Sequence, residues 1–273
     1  MNQNITKAIL PLATLSCVHG KMLAQDAARP NILYIMCDDH AMQAISAYGS
    51  PISKLAPTPN IDRLAQRGML FRNCFVENSL STPSRACLMT GLYSHQNGQR
   101  QLAEGIDTTK TFVPELMQKA GYETGIVGKW HMMCRPKGFD YYYILDGQGK
   151  YYNPDFCTTG NYGKYKQEMG YATTLTTQHA IEFLDHRQKD KPFCLYVHHK
   201  APHRSWFAEP KHIGMYDGVD FPLPKTFWDN YENRGSAAKT QKMNIEKDME
   251  LILDFKIPEL LDTSDVESMA SYA

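Results

Sequence analysis

Asn31-Ile-Leu-Tyr-Ile-Met-Cys37 is a continuous apolar run of strand length, and it stops abruptly at Asp38-Asp39-His40. A strand buried on both faces, whose C-terminal end opens into a site, has this pattern. Two later stretches repeat it. Thr124 to Val127 is a short strand leading to Lys129 and His131, and Phe193 to Val197 runs into His198-His199-Lys200-Ala201-Pro202-His203. Helical patterns lie between them. Thr58 can cap a helix whose first position is Pro59 and whose end is Gly68. Met69 to Val76 is a further strand candidate. Pro83 to Thr90 reads as a helix with Ser81 just before its start, and Thr111 to Ala120 as another. Leu175 to Gln188 is amphipathic, with Ala180, Phe183 and Leu184 on one side. Residues 139–154, rich in Tyr, Gly and Asp, read as a long loop. Residues 207–235, with Pro210, Pro222 and Pro224, read as a surface excursion, and Ser236 to Phe255 as a polar helix. Helices alternating with apolar strands predict an α/β sandwich around a mainly parallel sheet. Sites in such sheets gather beyond the C-terminal ends of the strands.

The chain has 273 residues, enough for one large α/β domain. Lys plus Arg is 29 and Asp plus Glu is 29, so no global field attracts nucleic acid or an anionic membrane. Any anionic substrate must be held by local charges. Lys7, the apolar run Ala8 to Val18 and the small residues Ala24, Ala27 and Ala28 have the plan of a secretion signal over residues 1–28. That implies an exported protein, periplasmic or secreted; a buried N-terminal helix is the competing reading. Thr14-Leu15-Ser16 before Cys17 is a poor lipobox, which argues against a lipid anchor. No other stretch approaches the ~20 apolar residues of a membrane span. Seven cysteines without a C-x-x-C pair argue against a zinc site or a disulfide scaffold. Cys37, Cys87 and Cys194 lie in apolar runs and read as small core residues.

The polar clusters carry the chemistry. Two adjacent carboxylates, Asp38 and Asp39, repel unless one is protonated or a cation sits between them. Their hard oxygens favour calcium or magnesium. Taken alone, the pair also reads as a solvated turn with an Asp capping the next helix. Lys129 and His131, two apart, project to one side of an extended segment. A fixed cation and a titratable imidazole suit charge stabilisation plus proton transfer to a leaving group. Alone they read more readily as a surface Lys and a half-buried His. His198 and His199 are adjacent on a strand, so they face opposite ways and read as structural. Ser81 needs a neighbouring base to act as a nucleophile, and the local sequence offers none. An isolated serine there reads as a helix cap.

Residues 79–91, Ser-Leu-Ser-Thr-Pro-Ser-Arg-Ala-Cys-Leu-Met-Thr-Gly, contain Ser81-x-Pro83-Ser84-Arg85. This resembles the signature of the type I sulfatases, in which the first position, Cys or Ser, is oxidised to formylglycine. Gly121-Tyr-Glu-Thr-Gly-Ile-Val-Gly-Lys-Trp-His131 resembles a second segment of that family, and Lys200-Ala-Pro-His203 a third. The resemblance implies the alkaline-phosphatase/sulfatase-like fold. It implies that the hydrated aldehyde made from Ser81 attacks sulfur. It implies that Asp38, Asp39 and residue 81 hold a calcium ion, magnesium being the alternative. It further implies that Arg85, Lys129, His131 and His203 are catalytic, with Lys200 on the substrate. Serine at position 81 resembles the sulfatases matured by a radical-SAM enzyme, the implied partner. Leu92 departs from the family, where Arg or Lys commonly follows Thr-Gly.

Gly138-Phe-Asp-Tyr141, Leu145-Asp-Gly-Gln-Gly-Lys-Tyr-Tyr-Asn-Pro-Asp155 and His199 to Trp206 resemble the N-acetylglucosamine-6-sulfatase branch. That implies a sulfated carbohydrate substrate, with the aromatic and amide-rich loops serving a sugar. Residues 29–261 then read as the N-terminal part of a catalytic domain truncated at its C-terminus, and 262–273 as a disordered tail. The family's later Asp-Asn metal pair has no counterpart, since Asp229-Asn230 sits in a Pro-punctuated segment. Three readings stand at this point: a carbohydrate sulfatase, a related phosphatase or phosphonate hydrolase, and a non-catalytic remnant or glycan-binding fragment.

Overall fold

The structure is a computed structural model, and it describes residues 29–250 and 253–255. The expected signal peptide and the tail at 262–273 lie outside the described residues. In the body that starts at Asn31, β1 (Ile32–Cys37) is followed by α1 (Pro59–Arg67), α2 (Ser81–Thr90), α3 (Ser94–Asn97) and α4 (Val113–Lys119). Next come β2 (Glu123–Gly128), β3 (Tyr141–Leu145), β4 (Asp155–Thr158), β5 (Lys166–Gln167), α5 (Ala172–His186) and β6 (Phe193–His199). Two short helices, α6 (Ser236–Thr240) and α7 (Ile245–Asp248), end the described chain. The sheet order is β1-β6-β2-β3-β4-β5. β1, β6, β2 and β3 are parallel, while β4 and β5 join antiparallel. The mainly parallel sandwich expected from the sequence is the observed architecture.

Strand alternation distributes the core to both faces. Cys194, Tyr196, Ile126, Tyr142 and Ile144 pack with Ala86 and Met89 of α2 on one face. Leu195, Val197 and Val127 pack with Ala180 and Phe183 of α5 on the other. Gly128 ends β2 at φ +93°, and a Cβ there would stand 2.1 Å from the His198 carbonyl oxygen. Only glycine lets the two strands approach so closely. Lys129 N then donates to that same carbonyl at 2.7 Å, which carries the chain from β2 into the site.

Several expectations fail for identifiable reasons. β1 is the sheet's edge strand, so Leu33 and Ile35 are 49 % and 53 % exposed and Cys37 is also exposed. The sequence predicted burial on both faces; apolar composition states a preference, and a neighbour must satisfy it. Cys87 and Cys194 are buried as expected. Residues 69–76 form no strand, because no described strand offers them a ladder, and Phe71 and Phe75 are exposed. The predicted loop 139–154 contains β3, whose alternating burial is hidden by three consecutive tyrosines. α2 begins at Ser81 itself, with Leu80 as N-cap, rather than after it. The predicted polar helix 236–255 is broken into α6 and α7, since neither carries a buried face.

Candidate active site

The C-terminal ends of β1, β2 and β6 lie side by side, and they carry the polar clusters to one place. Asp38 N donates to Ala201 O at 3.1 Å, extending the β1–β6 pairing one step beyond β1. Asp38 is 6 % exposed, and its carboxylate accepts from the Lys129 ammonium and lies 3.6 Å from Arg85 Nη2. The repulsion expected between adjacent carboxylates is thus relieved by two cations supplied by the protein. Asp39 turns outward at φ +59°, with Oδ2 3.7 Å from His203 Nε2. Asp39 and His131, at φ +47°, both adopt the left-handed conformation that non-glycine residues rarely take. Such residues cluster where surrounding structure holds a functional geometry.

Ser81 stands in the first turn of α2. Its hydroxyl accepts from Arg85 Nε at 3.3 Å and lies 3.5 Å from His131 Nδ1. The base that the local sequence did not offer therefore arrives from fifty residues away. Arg85 is fixed from below: Nη1 donates to Lys129 O at 2.7 Å and stands 3.1 Å from His198 Nδ1. His198 was set aside as structural on the sequence. It lies directly beneath the site, on the same face as Tyr196, a placement that strand alternation carries without revealing what lies above it. Burial, reinforced by Arg85, drives its pKa well below the ordinary histidine value, so the ring is neutral. His199 faces away, as expected.

Lys129 is fully buried. Burial lowers its pKa to about 8, Asp38 opposes the shift, and Arg85 and Lys200 add to it. The Gln148 amide oxygen accepts from the same ammonium, a contact that no spacing in the sequence signals. His131 is held at about 4, by burial first and then by Lys129 and Arg85, so it is neutral at pH 7. In this state it can accept a proton and cannot donate one as an acid. Lys200 is buried, with Nζ 4.9 Å from the centre of the Tyr151 ring, and burial lowers its pKa against the pull of Asp38 and Asp39. Ser81, Arg85, Asp38 and Asp39 line a cavity of about 760 Å³, with Tyr34, Met36, Phe75 and Val76 as apolar wall.

The tyrosines of the aromatic loop use their hydroxyls on the backbone of a later segment. Tyr151 OH donates to His203 O at 2.6 Å, Tyr171 OH to Phe207 O at 2.7 Å, and Tyr152 OH to Ala208 O. Tyr151 and Tyr171 therefore clasp the 203–208 segment, and Tyr151 is only 4 % exposed. Asp229, of the Asp-Asn pair discounted on the sequence, pairs with Arg234 at 2.9 Å and lies in a local turn.

The donor set offered to a divalent cation is oxygen-rich but partial. Calcium takes six to eight oxygens. Asp38, Asp39 and Ser81 supply few, Asp38 is already engaged by Lys129 and Arg85, and no group of three or more His, Cys, Asp or Glu suited to a metal occurs among the described residues. The described residues do not make a complete calcium site.

The chain is 44 % identical over 263 residues to N-acetylglucosamine-6-O-sulfatase of Bacteroides thetaiotaomicron, a match covering 94 % of this chain and 46 % of the relative. It is 30 % identical over 266 residues to human N-acetylgalactosamine-6-sulfatase, covering 84 % of this chain and 47 % of that protein. A solved structure, of a protein in complex with its substrate D-glucosamine-2-N,6-O-disulfate, superposes with a TM-score of 0.81 at 45 % identity. It covers 89 % of this chain and 48 % of the other. The chain thus spans about half the length of the curated relatives it matches. No helix among the described residues is long and apolar enough to cross a membrane. The family model for Sulfatase matches residues 30–269, and on that breadth of agreement the chain belongs to the sulfatase family.

Proposed function

We propose that this chain carries the nucleophile half of a sulfuric ester hydrolase acting on a carbohydrate 6-sulfate, with 6-sulfated N-acetylglucosamine as the preferred unit. One observation carries the reading. Ser81, the modifiable position of the signature, sits in the first turn of α2 between Arg85 and His131, at the mouth of a cavity beside the strand ends. The substrate class is supported by the 6-sulfatase relatives and by the disulfated glucosamine named for the superposed structure.

Oxidation of Ser81 to formylglycine, by a radical-SAM type maturase, supplies the hydrated nucleophile. The protein's own groups do the rest. Arg85, locked by Lys129 O and His198, orients the oxygen at position 81. Arg85 presents preorganised positive charge at the cavity wall, with Lys129 and Lys200 buried nearby, in a poorly hydrated setting where such charge counts for most. Neutral His131 is placed to take the proton at position 81, and His203 stands across Asp39 as the second imidazole. Asp38, Asp39 and residue 81 are the part of a calcium shell this chain contributes. A periplasmic or secreted setting, with residues 1–28 as signal peptide, belongs to the same reading.

The test is direct. Co-expressed with a serine-type maturase, the tryptic peptide containing Ser81 should lose about 2 Da, the mass of the two hydrogens removed as the alcohol becomes an aldehyde. In a version extended to the length of its relatives, sulfate release from 6-sulfated N-acetylglucosamine should vanish in Ser81→Ala. Release that persists in that variant, or an unaltered Ser81 mass beside an active maturase, would overturn the reading.

A further inference from the structure

Lys129 presents a geometric difficulty. Its side chain is 0 % exposed, so no ligand oxygen reaches its ammonium as the site stands. Two acceptors hold that ammonium. One is Asp38, itself buried and fixed at the end of β1. The other is Gln148 Oε1 at 2.5 Å, on a side chain that is exposed to solvent.

Gln148 stands at the tip of the turn that follows β3. Gly149 N donates to Asp146 O at 2.7 Å to close the turn, and Asp146 N donates to Asp155 O at 3.0 Å. Lys150 pairs with Asp155 at 3.0 Å and pins the outgoing chain. The turn's frame is therefore anchored to β4, while its tip residue meets the rest of the site through one side-chain contact. The neutral amide oxygen is a weaker partner for an ammonium than an anionic oxygen, because hydrogen bonds between two charged groups are the stronger kind. Rotation about the Gln148 side chain costs far less than moving the buried Asp38.

We propose that Gln148 is a displaceable cap on Lys129: its amide oxygen occupies the position that an anionic oxygen of the substrate takes over. The proposal rests on the sulfatase reading of the site only for the identity of the incoming anion; the cap itself is a property of the chain alone. Gln148 is then a positioning residue, which holds the buried ammonium between turnovers.

Pulse labelling of lysines in the 273-residue chain with acetic anhydride, read peptide by peptide by mass spectrometry, tests this without needing turnover. Exposed Lys164 is the internal reference. Wild-type Lys129 should label far more slowly than Lys164. Gln148→Ala should raise Lys129 labelling about tenfold or more, as expected for loss of a hydrogen bond to a charged group. Gln148→Glu, which keeps an oxygen acceptor, should restore protection. Inorganic sulfate should slow Lys129 labelling in Gln148→Ala while leaving Lys164 unchanged. Equal Lys129 labelling in wild type and Gln148→Ala would overturn the cap. Absence of sulfate protection in Gln148→Ala would overturn the exchange of amide for anion. Neither result bears on whether Ser81 is modified or needed, so the two readings fail separately.

Discussion

Removing Asp38 should do more damage than removing either cation it faces. The side chains of Asp38, Arg85 and Lys129 are 7 %, 3 % and 0 % exposed, so the trio is out of water. Asp38→Ala leaves an ammonium and a guanidinium buried without the carboxylate they pair with. Breaking a buried ion pair from one side costs about 3–5 kcal/mol, since the survivor is an uncompensated charge. For a domain of this size each kcal/mol moves the melting temperature by roughly 2–4 °C, giving a fall of about 6–20 °C. The double variant Asp38→Ala/Lys129→Met decides whether charge is the cause. If it is, removing the stranded ammonium should return about 1–3 kcal/mol, making the double variant more stable than Asp38→Ala. The assay is urea unfolding followed by circular dichroism, with a common slope across the set. A double variant less stable than Asp38→Ala, with a loss relative to wild type equal to the sum of the single losses, would refute the reasoning.

The clasp gives a second expectation: Tyr151→Phe should speed hydrogen exchange across residues 203–208 by about fivefold, the loss of one hydrogen bond worth ~1 kcal/mol, and unchanged exchange would show the hydroxyl is idle. Gly128→Ala should cost more than about 3 kcal/mol, because a Cβ cannot share space with the His198 carbonyl; normal yield and an unshifted melting curve would contradict this. Acid should destabilise the fold through His131. Its folded pKa near 4 lies below the ordinary 6.5, so its contribution is full above pH 6.5 and is lost as pH falls toward 4. Discounted for partial solvent screening, this amounts to about 1–2 kcal/mol, and His131→Gln should flatten that part of the stability profile.

The parallel core was legible because its strands are short apolar runs that end in charge, and β1, β2 and β6 all share that pattern. Asp38, Ser81, Arg85, Lys129, His131 and His203 were legible as types of chemistry, since each follows a strand or lies in a motif. Their pairings were not. Nothing in the spacing of residues 81 and 131 says that a hydroxyl and an imidazole meet, or that residue 38 neutralises residues 85 and 129. Those contacts follow from the β1-β6-β2 strand order, which local periodicity does not encode. His198 and Gln148 escaped for the same reason, being ordinary residues until the fold brings them beneath and above the cations. β3 was missed because a Tyr-rich run conceals its alternation, and the hydroxyl bonds of Tyr151 and Tyr152 to the carbonyls of His203 and Ala208 have no signal in the sequence.

The pairing of the first strand with the last has a consequence in time. Asn31 Oδ1 accepts from Phe193 N across 162 residues, and among the described strands β1 finds its ladder in β6. On a ribosome delivering about 5–20 residues per second, Ser81 emerges on the order of ten seconds before β6 does. Through that interval Lys129 and Asp38 have no common frame, and the segment around Ser81 is still an accessible strand of polypeptide. On the proposed reading, an enzyme that modifies Ser81 would work against a clock set by topology. Closure of the sheet ends its opportunity, and the order of strands in the chain decides how long the serine remains available.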